Sequence, residues 1–418
     1  MADYICEEII PNILHRLPVK TLLRCTTICK SWYSLITNPQ FIFSHLNFAA
    51  STKNRTPLLL IRRTITESEL YDLFSDNDSF APHSSIEFPF RSINPFFTIV
   101  GTCNGLICLS DDRVYHSHTI ILWNPCIKKS VLLPKPNSIY SSYGTFSQSL
   151  GFGFDPVASD YKVIRITYAD CVRVEHPSVQ LYKLSTGVWQ DLSFLSLECV
   201  IHSKSRQAYA NGAAHWVARH MDSHDSIVFF DMCGEVFGEL MLPFGLVNSN
   251  DLVTSKELVV YNKSLALIVC NVLGAQPSFC VWVMKEYGVQ ESWTKHLSID
   301  VHDFGEILLR PLWVMRRGEV ITVGRDGCLI SYDPNGEAKG EEFKDLGVDG
   351  LKSEDYRRSV HVDSYVESLV LLEKGPYSCD ALTCQKLPIV HASDCGSVGG
   401  CGSDYGHNFE SDCKQGRS

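Results

Sequence analysis

Apolar β-hairpins recur about every 50 residues along most of this chain, and that beat limits its fold more than any single motif does. Ile120-Ile121-Leu122-Trp123 turns at Asn124-Pro125 toward Val131-Leu132-Leu133, and Val179 to Tyr182 turns at Ser185-Thr186-Gly187 toward Val188-Trp189. The shape returns in Ile227 to Phe230 before Gly234, in Phe279 to Met284 before Gly288 and Trp293, and in Leu329 to Tyr332 before Asn335-Gly336. A weaker unit lies between Leu58 and Phe74. Short runs of β-branched and aromatic residues cut by Gly, Asn, Asp and Pro are strand signals.

Each hairpin is preceded by an inner strand pair, such as Phe97 to Leu109 around Asn104-Gly105, or Glu257 to Val272 around Asn262-Lys263. A lone four-stranded sheet of this kind leaves both apolar faces open. Stacking about six of them around an axis covers both, which predicts a kelch-like propeller. The run Tyr365 to Leu372 is expected to close the ring against the first unit. A β-sandwich or an open repeat stack remains the alternative.

The first forty-odd residues follow another rule. Ile9, Ile10, Ile13, Leu14 and Leu17 fall at helical spacing with Pro11 in the first turn, and Pro18 ends the run. A second pattern, Val19 to about Lys30, carries Leu22, Leu23, Thr26 and Ile28, and a third carries Trp32, Leu35 and Ile36. Asn38-Pro39 then reads as an N-cap and first helical position before Phe41, Phe43 and Leu46. Helices this short make a unit too small to bury all its apolar surface, so the excess packs either on the rest of the chain or on a partner.

The residues that decide between these are Glu7-Glu8-Ile9-Ile10, Ile13 to Cys25, Cys29-Lys30-Ser31-Trp32, Leu35-Ile36 and Asn38-Pro39-Gln40-Phe41, which together resemble the plant F-box motif. The resemblance implies docking on a Skp-type adaptor, which links the chain through a cullin to a RING subunit and a ubiquitin-conjugating enzyme. Carried onto this sequence, the adaptor contacts are Ile9, Ile10, Ile13, Leu14, Leu17, Pro18, Leu22, Leu23 and Trp32, with Ile5 a weaker member and Trp32 shared with the helical core. Many relatives open with Leu-Pro where this chain has Ile5-Cys6, so its entry segment is expected to be looser.

A second resemblance covers the β-rich part. Val100 to Leu109, Leu122-Trp123-Asn124-Pro125, Gly151 to Pro156, Asp160 to Val163, Asn211 to Trp216 and Trp282 to Gly288 look like landmarks of the plant F-box-associated domain. That family includes F-box/kelch-repeat proteins, pollen S-locus F-box proteins that recognise stylar ribonucleases, and receptors that lower immune-receptor levels; the landmarks do not separate these branches. Physically they read as frame: Asn104-Gly105 and Asn211-Gly212 suit turns needing positive φ, and Trp123 and Trp216 are plates for packing between sheets. Recognition is expected in the loops between strands.

Composition excludes several classes. With 20% charged residues and a net charge of -10, the chain lacks the cationic surface that binding to nucleic acid or an anionic membrane requires. Its longest apolar stretch, Leu265 to Leu273, is too short to span a bilayer. Seventeen cysteines is an odd number, and charged residues interrupt the first apolar run. Together these predict reduced thiols and a cytoplasmic or nuclear setting.

Catalytic signatures are missing from the sequence. Gly151-Phe152-Gly153 lacks a third glycine, and there is no Gly-x-Ser-x-Gly elbow or His-Glu-x-x-His pair. His215 beside Trp216 reads as a satisfied structural residue. Cys25 and Cys29 lie one helical turn apart among apolar neighbours, and the Cys- and His-containing tail from Cys379 to Cys413 has no Cys-x-x-Cys pair. No cofactor or metal is therefore expected.

The expected organisation is α+β and multidomain: a helical F-box at 3–48, a linker at 49–56, an all-β kelch-like propeller of about six blades at 57–375, and a disordered tail at 376–418. The expected function is substrate recognition for an SCF-type ubiquitin ligase, with the propeller holding a protein client whose identity the sequence does not give. The other readings are a propeller enzyme with an incidental helical cap, and an F-box scaffold or decoy acting without degradation.

Overall fold

The computed structural model describes residues 9–51, 57–112 except 66–67, 78, 93 and 95, then 116–136, 146–169, 177–246 except 203–204 and 223, 254–271, 278–300, 310–333 except 325–326, 343–349, 360–372 and 378–380. Ile5, residues 52–56 of the expected linker, the Asn335-Gly336 turn and the tail beyond 380 lie outside them.

Four helices come first: α1 (Ile10–Leu14), α2 (Val19–Cys25), α3 (Lys30–Thr37) and α4 (Pro39–Ser51). Pro11 sits in the first turn of α1 as its missing N–H requires. The helix stops at Leu14, short of Pro18, and Pro18 instead takes the extended N-cap position of α2. Asn38 Oδ1 accepts the Gln40 N–H at 2.8 Å, the cap read from the sequence. α4 runs past the expected boundary at 48 and takes up the start of the linker.

Six sheets follow. The first contains β1 (Leu58–Ile65), β2 (Ser68–Ser75) and β3 (Pro82–Ile86). The second contains β4 (Thr98–Cys103), β5 (Leu106–Asp112), β6 (His116–Asn124) and β7 (Lys129–Leu132). The third has β8 (Phe146–Asp155), β9 (Asp160–Ala169), β10 (Ser178–Lys183) and β11 (Val188–Asp191). The fourth has a split inner strand, β12 (Cys199–Ile201) and β13 (Ala208–Ala210), both paired with β14 (Ala213–His220), then β15 (Asp225–Asp231) and β16 (Val236–Leu240). The fifth has β17 (Thr254–Tyr261), β18 (Ser264–Asn271), β19 (Ser278–Met284) and β20 (Trp293–Asp300). The sixth has β21 (Arg310–Val314), β22 (Val320–Val323), β23 (Leu329–Tyr332) and β24 (Phe343–Val348). This is a six-bladed propeller.

The closing strand differs from the expectation. β25 (Val360–Tyr365) pairs with β1, from Leu58 opposite Tyr365 to Arg63 opposite Val360, and so completes blade one from the far end of the chain. Tyr365 to Leu372 was expected to do this, but only its first residue belongs to the strand. An inner strand has neighbouring strands on one side and the central axis on another, which suits the alternation Val360-His361-Val362-Asp363; the Leu369-Val370-Leu371-Leu372 stretch packs instead on the helices and the seam between blades two and three. β26 (Ser378–Asp380), inside the segment expected to be disordered, adds a fifth strand beside β7.

Period-two alternation sorts side chains into the seams between blades. Leu58 and Leu60 enter the cluster between blades one and two, whereas Leu59 and Ile61 enter the one between blades six and one. Trp123 lies in the first of these, 5.5 Å edge-on from Tyr71. Trp216 fills the seam between blades three and four, and its indole N–H donates to the Leu150 carbonyl at 3.1 Å. A Cβ on Gly151 would lie 2.4 Å from that indole ring, so only glycine fits there. Asn104 and Asn211 both take positive φ, as their turns were expected to demand.

Candidate functional site

The helical unit has a compact core of Leu14, Val19, Leu22, Cys25, Ile36 and Phe41, closed by Leu369 from the other end of the chain. α4 holds the α1–α2 bend: the His45 ring contacts the Leu17 carbonyl at 3.0 Å, and His15 stacks on Phe41 with ring centroids 4.5 Å apart. Thus α4 is a brace between the first two helices and the propeller. Its Ile42 packs on the seam between blades two and three, and Phe43 stacks on Phe154 at 6.0 Å.

The residues expected to meet an adaptor fall into three groups. Ile9 and Ile13 are exposed, at 50% and 44%, and Pro18 is exposed beside them in sequence. Ile10, Leu17, Leu23 and Trp32 are half-buried, packing on the helical core while keeping part of their surface in solvent. Leu14 and Leu22 are fully buried. Helical spacing places these two on the stripe facing the unit's own core, beneath the exposed members of the expected set.

Two exposed apolar residues around the first three helices fall outside the expected set. Ile28 is 62% exposed and Tyr33 52%. Ile28 reads as part of the α2 stripe if that helix continues to Lys30, but α2 ends at Cys25 and the intervening turn carries Ile28 outward. Tyr33 lies off the Trp32-Leu35-Ile36 stripe, and that offset was legible. Covering a half-exposed residue of this size contributes about 1 kcal/mol, so four of them offer a useful share of a docking energy. Cys25 is buried and Cys29 exposed at the α3 N-cap, so they do not form a ligand pair.

A clasp joins the two parts. The Asn124 amide donates to the Ser368 carbonyl at 3.1 Å and the Val370 carbonyl at 2.8 Å, while its Oδ1 accepts from the Cys126 N–H. Lys129 Nζ reaches the Leu372 carbonyl at 2.7 Å. Gly105 has φ of 81°, and a Cβ there would meet the Val366 carbonyl oxygen at 2.5 Å. The apolar run Val366 to Leu372 therefore anchors the helices, with Leu369 in their core and Val370 and Leu371 in the propeller seam.

This docking gives the propeller two unlike rims. Antiparallel strands put the β4–β5 and β6–β7 turns, and their counterparts in other blades, at one end; the clasp and helices sit there. The opposite rim carries turns such as 221–224 and the connections between blades. Phe194, Met221 and Phe244, all strongly exposed, lie in those segments around blade four.

On the axis, inner strands from five blades surround a cavity of about 90 Å³ that includes Thr102, Gln207, Glu257, His361 and Asp363. Ligand pockets run from about 300 to 1,000 Å³. His215 is a buried structural residue: Nδ1 contacts the Ala208 carbonyl at 3.1 Å, Nε2 meets the Tyr287 hydroxyl at 2.7 Å, and burial pushes its pKa down to about 4. Two buried ion clusters tie blades together. Lys162 of blade three reaches Asp155 and Glu235, both at 2.7 Å. Lys256 of blade five reaches Asp225 of blade four at 2.6 Å; burial opposes the Asp225 charge, but hydrogen bonds from Arg219 and Lys256 hold it well below the usual carboxylate range.

Short helices docked on a six-bladed propeller give a two-part architecture. Residues 4–46 match the F-box domain and residues 65–372 match the F-box associated beta propeller domain. The chain belongs to the plant F-box family that carries this propeller. Among Arabidopsis thaliana proteins it is 30% identical over 394 residues to F-box protein CPR1, covering 88% of this chain and 89% of that one. It is 30% identical to F-box/kelch-repeat protein At3g23880, covering 79% and 88%, and 29% identical to F-box protein At3g07870, covering 82% and 88%. An F-box domain implies binding to a Skp-type adaptor.

Proposed function

We propose that this chain is the substrate-recognition subunit of an SCF-type ubiquitin ligase. The helices dock on a Skp-type adaptor, which connects the chain to cullin and RING subunits, and the propeller presents a protein client. The observation that carries this reading is the outward exposure of Ile9, Ile13, Ile28 and Tyr33 on a unit whose other side is pinned to the propeller. Ubiquitin transfer belongs to the conjugating enzyme held elsewhere in the assembly, so this chain contributes two surfaces and rigidity in place of a nucleophile. The client is placed on the rim away from the helices, where the inter-blade connections and exposed Phe194, Met221 and Phe244 lie. The setting proposed is cytoplasmic or nuclear, from the odd number of cysteines in the sequence.

The test is co-purification of adaptor and cullin with the full chain and with an Ile9→Asp/Ile13→Asp variant. The wild type is expected to retain both partners, and the variant to lose both while keeping its thermal transition. Equal recovery from the two proteins would refute the docking face. Client half-life with and without the chain then separates a degradation receptor from a scaffold or decoy.

A further inference from the structure

We propose that His220, His224 and Glu239 form a divalent transition-metal site, Zn²⁺ foremost, on the propeller rim away from the helices. One donor atom from each of these three side chains lies within 4.8 Å of the other two. They arrive from three positions in blade four: the end of β14, the turn into β15, and β16.

The hairpin fixes this convergence. The His220 N–H donates to the His224 carbonyl at 2.9 Å, closing the turn. The two imidazoles then stack, with centroids 4.2 Å apart and planes within 6°. His220 Nε2 meets Glu239 Oε1 at 2.9 Å and the Ser226 hydroxyl at 2.8 Å. Asp222 contacts His224 Nδ1, which fixes that ring and leaves Nε2 as its metal-binding nitrogen, the usual task of a carboxylate behind a ligating histidine.

Two imidazoles and a carboxylate suit Zn²⁺, whose ligands sit about 2.0–2.2 Å from the ion; three protein ligands leave a fourth position open. An ion lies in the plane of each imidazole it binds, so loading turns the His220 and His224 rings out of their parallel stack while Glu239, at the surface, swings with them. Cys199 lies opposite His220 in the β12–β14 ladder but is buried, and the three donors that converge are two imidazole nitrogens and a carboxylate oxygen. At this rim the open position faces solvent, where a His, Cys or carboxylate of a docked protein could complete the shell. Metal binding itself does not depend on that role.

The test is a Zn²⁺ titration of the full chain against a chromophoric chelator, after alkylation of accessible thiols to silence the many cysteines. One Zn²⁺ per chain is expected, with affinity falling at least tenfold in His224→Ala and in Glu239→Gln, and about threefold in Asp222→Asn. Unchanged thermal transitions in these surface variants would show that the loss is local. X-ray absorption at the zinc edge should report nitrogen and oxygen neighbours without sulfur. Equal binding by wild type and His224→Ala, no binding in the micromolar range, or a sulfur shell would each overturn the proposal.

Discussion

The propeller and the helical unit solve the same burial problem in opposite ways. Each of the six seams between blades is filled from both sides, so that strands such as β1 commit alternate side chains to two different clusters. The helical unit has a single core, and one of its members, Leu369, is supplied from more than three hundred residues away. Part of its apolar surface stays exposed, at Ile9, Ile13, Ile28 and Tyr33 around the first three helices and at Phe43 and Phe48 on α4. Ring closure lets a repeat satisfy itself, whereas a bundle of four short helices needs help on both sides. One side is covered by the clasp, and the other is the face we propose for the adaptor.

The largest effect should come from breaking the ring. Val362→Asp puts a charge into a seam on the closing strand and should lower propeller stability by at least about 4 kcal/mol in calorimetry. An unchanged transition would mean that β25 does not close the ring. Leu14→Ala removes a fully buried side chain and should cost the helical unit about 2–5 kcal/mol. Faster amide exchange in α1 to α3 with an unaltered propeller transition would show that the two parts are separable in stability.

The clasp comes next. Asn124→Ala deletes the side-chain bonds to Ser368 and Val370 and should cost about 1–3 kcal/mol, read as faster proteolysis within 366–372. A further effect concerns pH. Burial pushes both His215 and His361 down to about 4, below the roughly 6.5 of an unfolded chain. The folded state therefore binds fewer protons, and the stability these neutral rings contribute above about pH 6.5 is lost as pH falls toward 4. Denaturant titrations should show a shallower loss over that window in His215→Gln. An identical slope would place the titration elsewhere.

Much of the frame was legible because turns and seams have local signatures. Asn104-Gly105 and Asn211-Gly212 announced their positive φ, and Trp123 and Trp216 announced their seams. The closing strand was misplaced by a few residues because an axis-facing strand alternates with polar groups, and its more apolar neighbour looked the better candidate. That neighbour turned out to serve both parts of the molecule at once, a demand that no local pattern displays. At the docking face, spacing found the helices but could not say which side of each met the unit's own core; Leu14 and Leu22 went inward, and Ile28 outward, once the true helix ends were set. The histidine pair at the far rim was hidden for a related reason, since its carboxylate comes from β16, beyond the intervening β15.

Hydrogen–deuterium exchange on the full chain, alone and with the adaptor bound, reads out the proposed docking face. Protection should appear around Ile9 to Ile13 and Ile28 to Tyr33, with none at the 221–224 turn. Protection confined to the propeller, or none across the helices, would contradict the account.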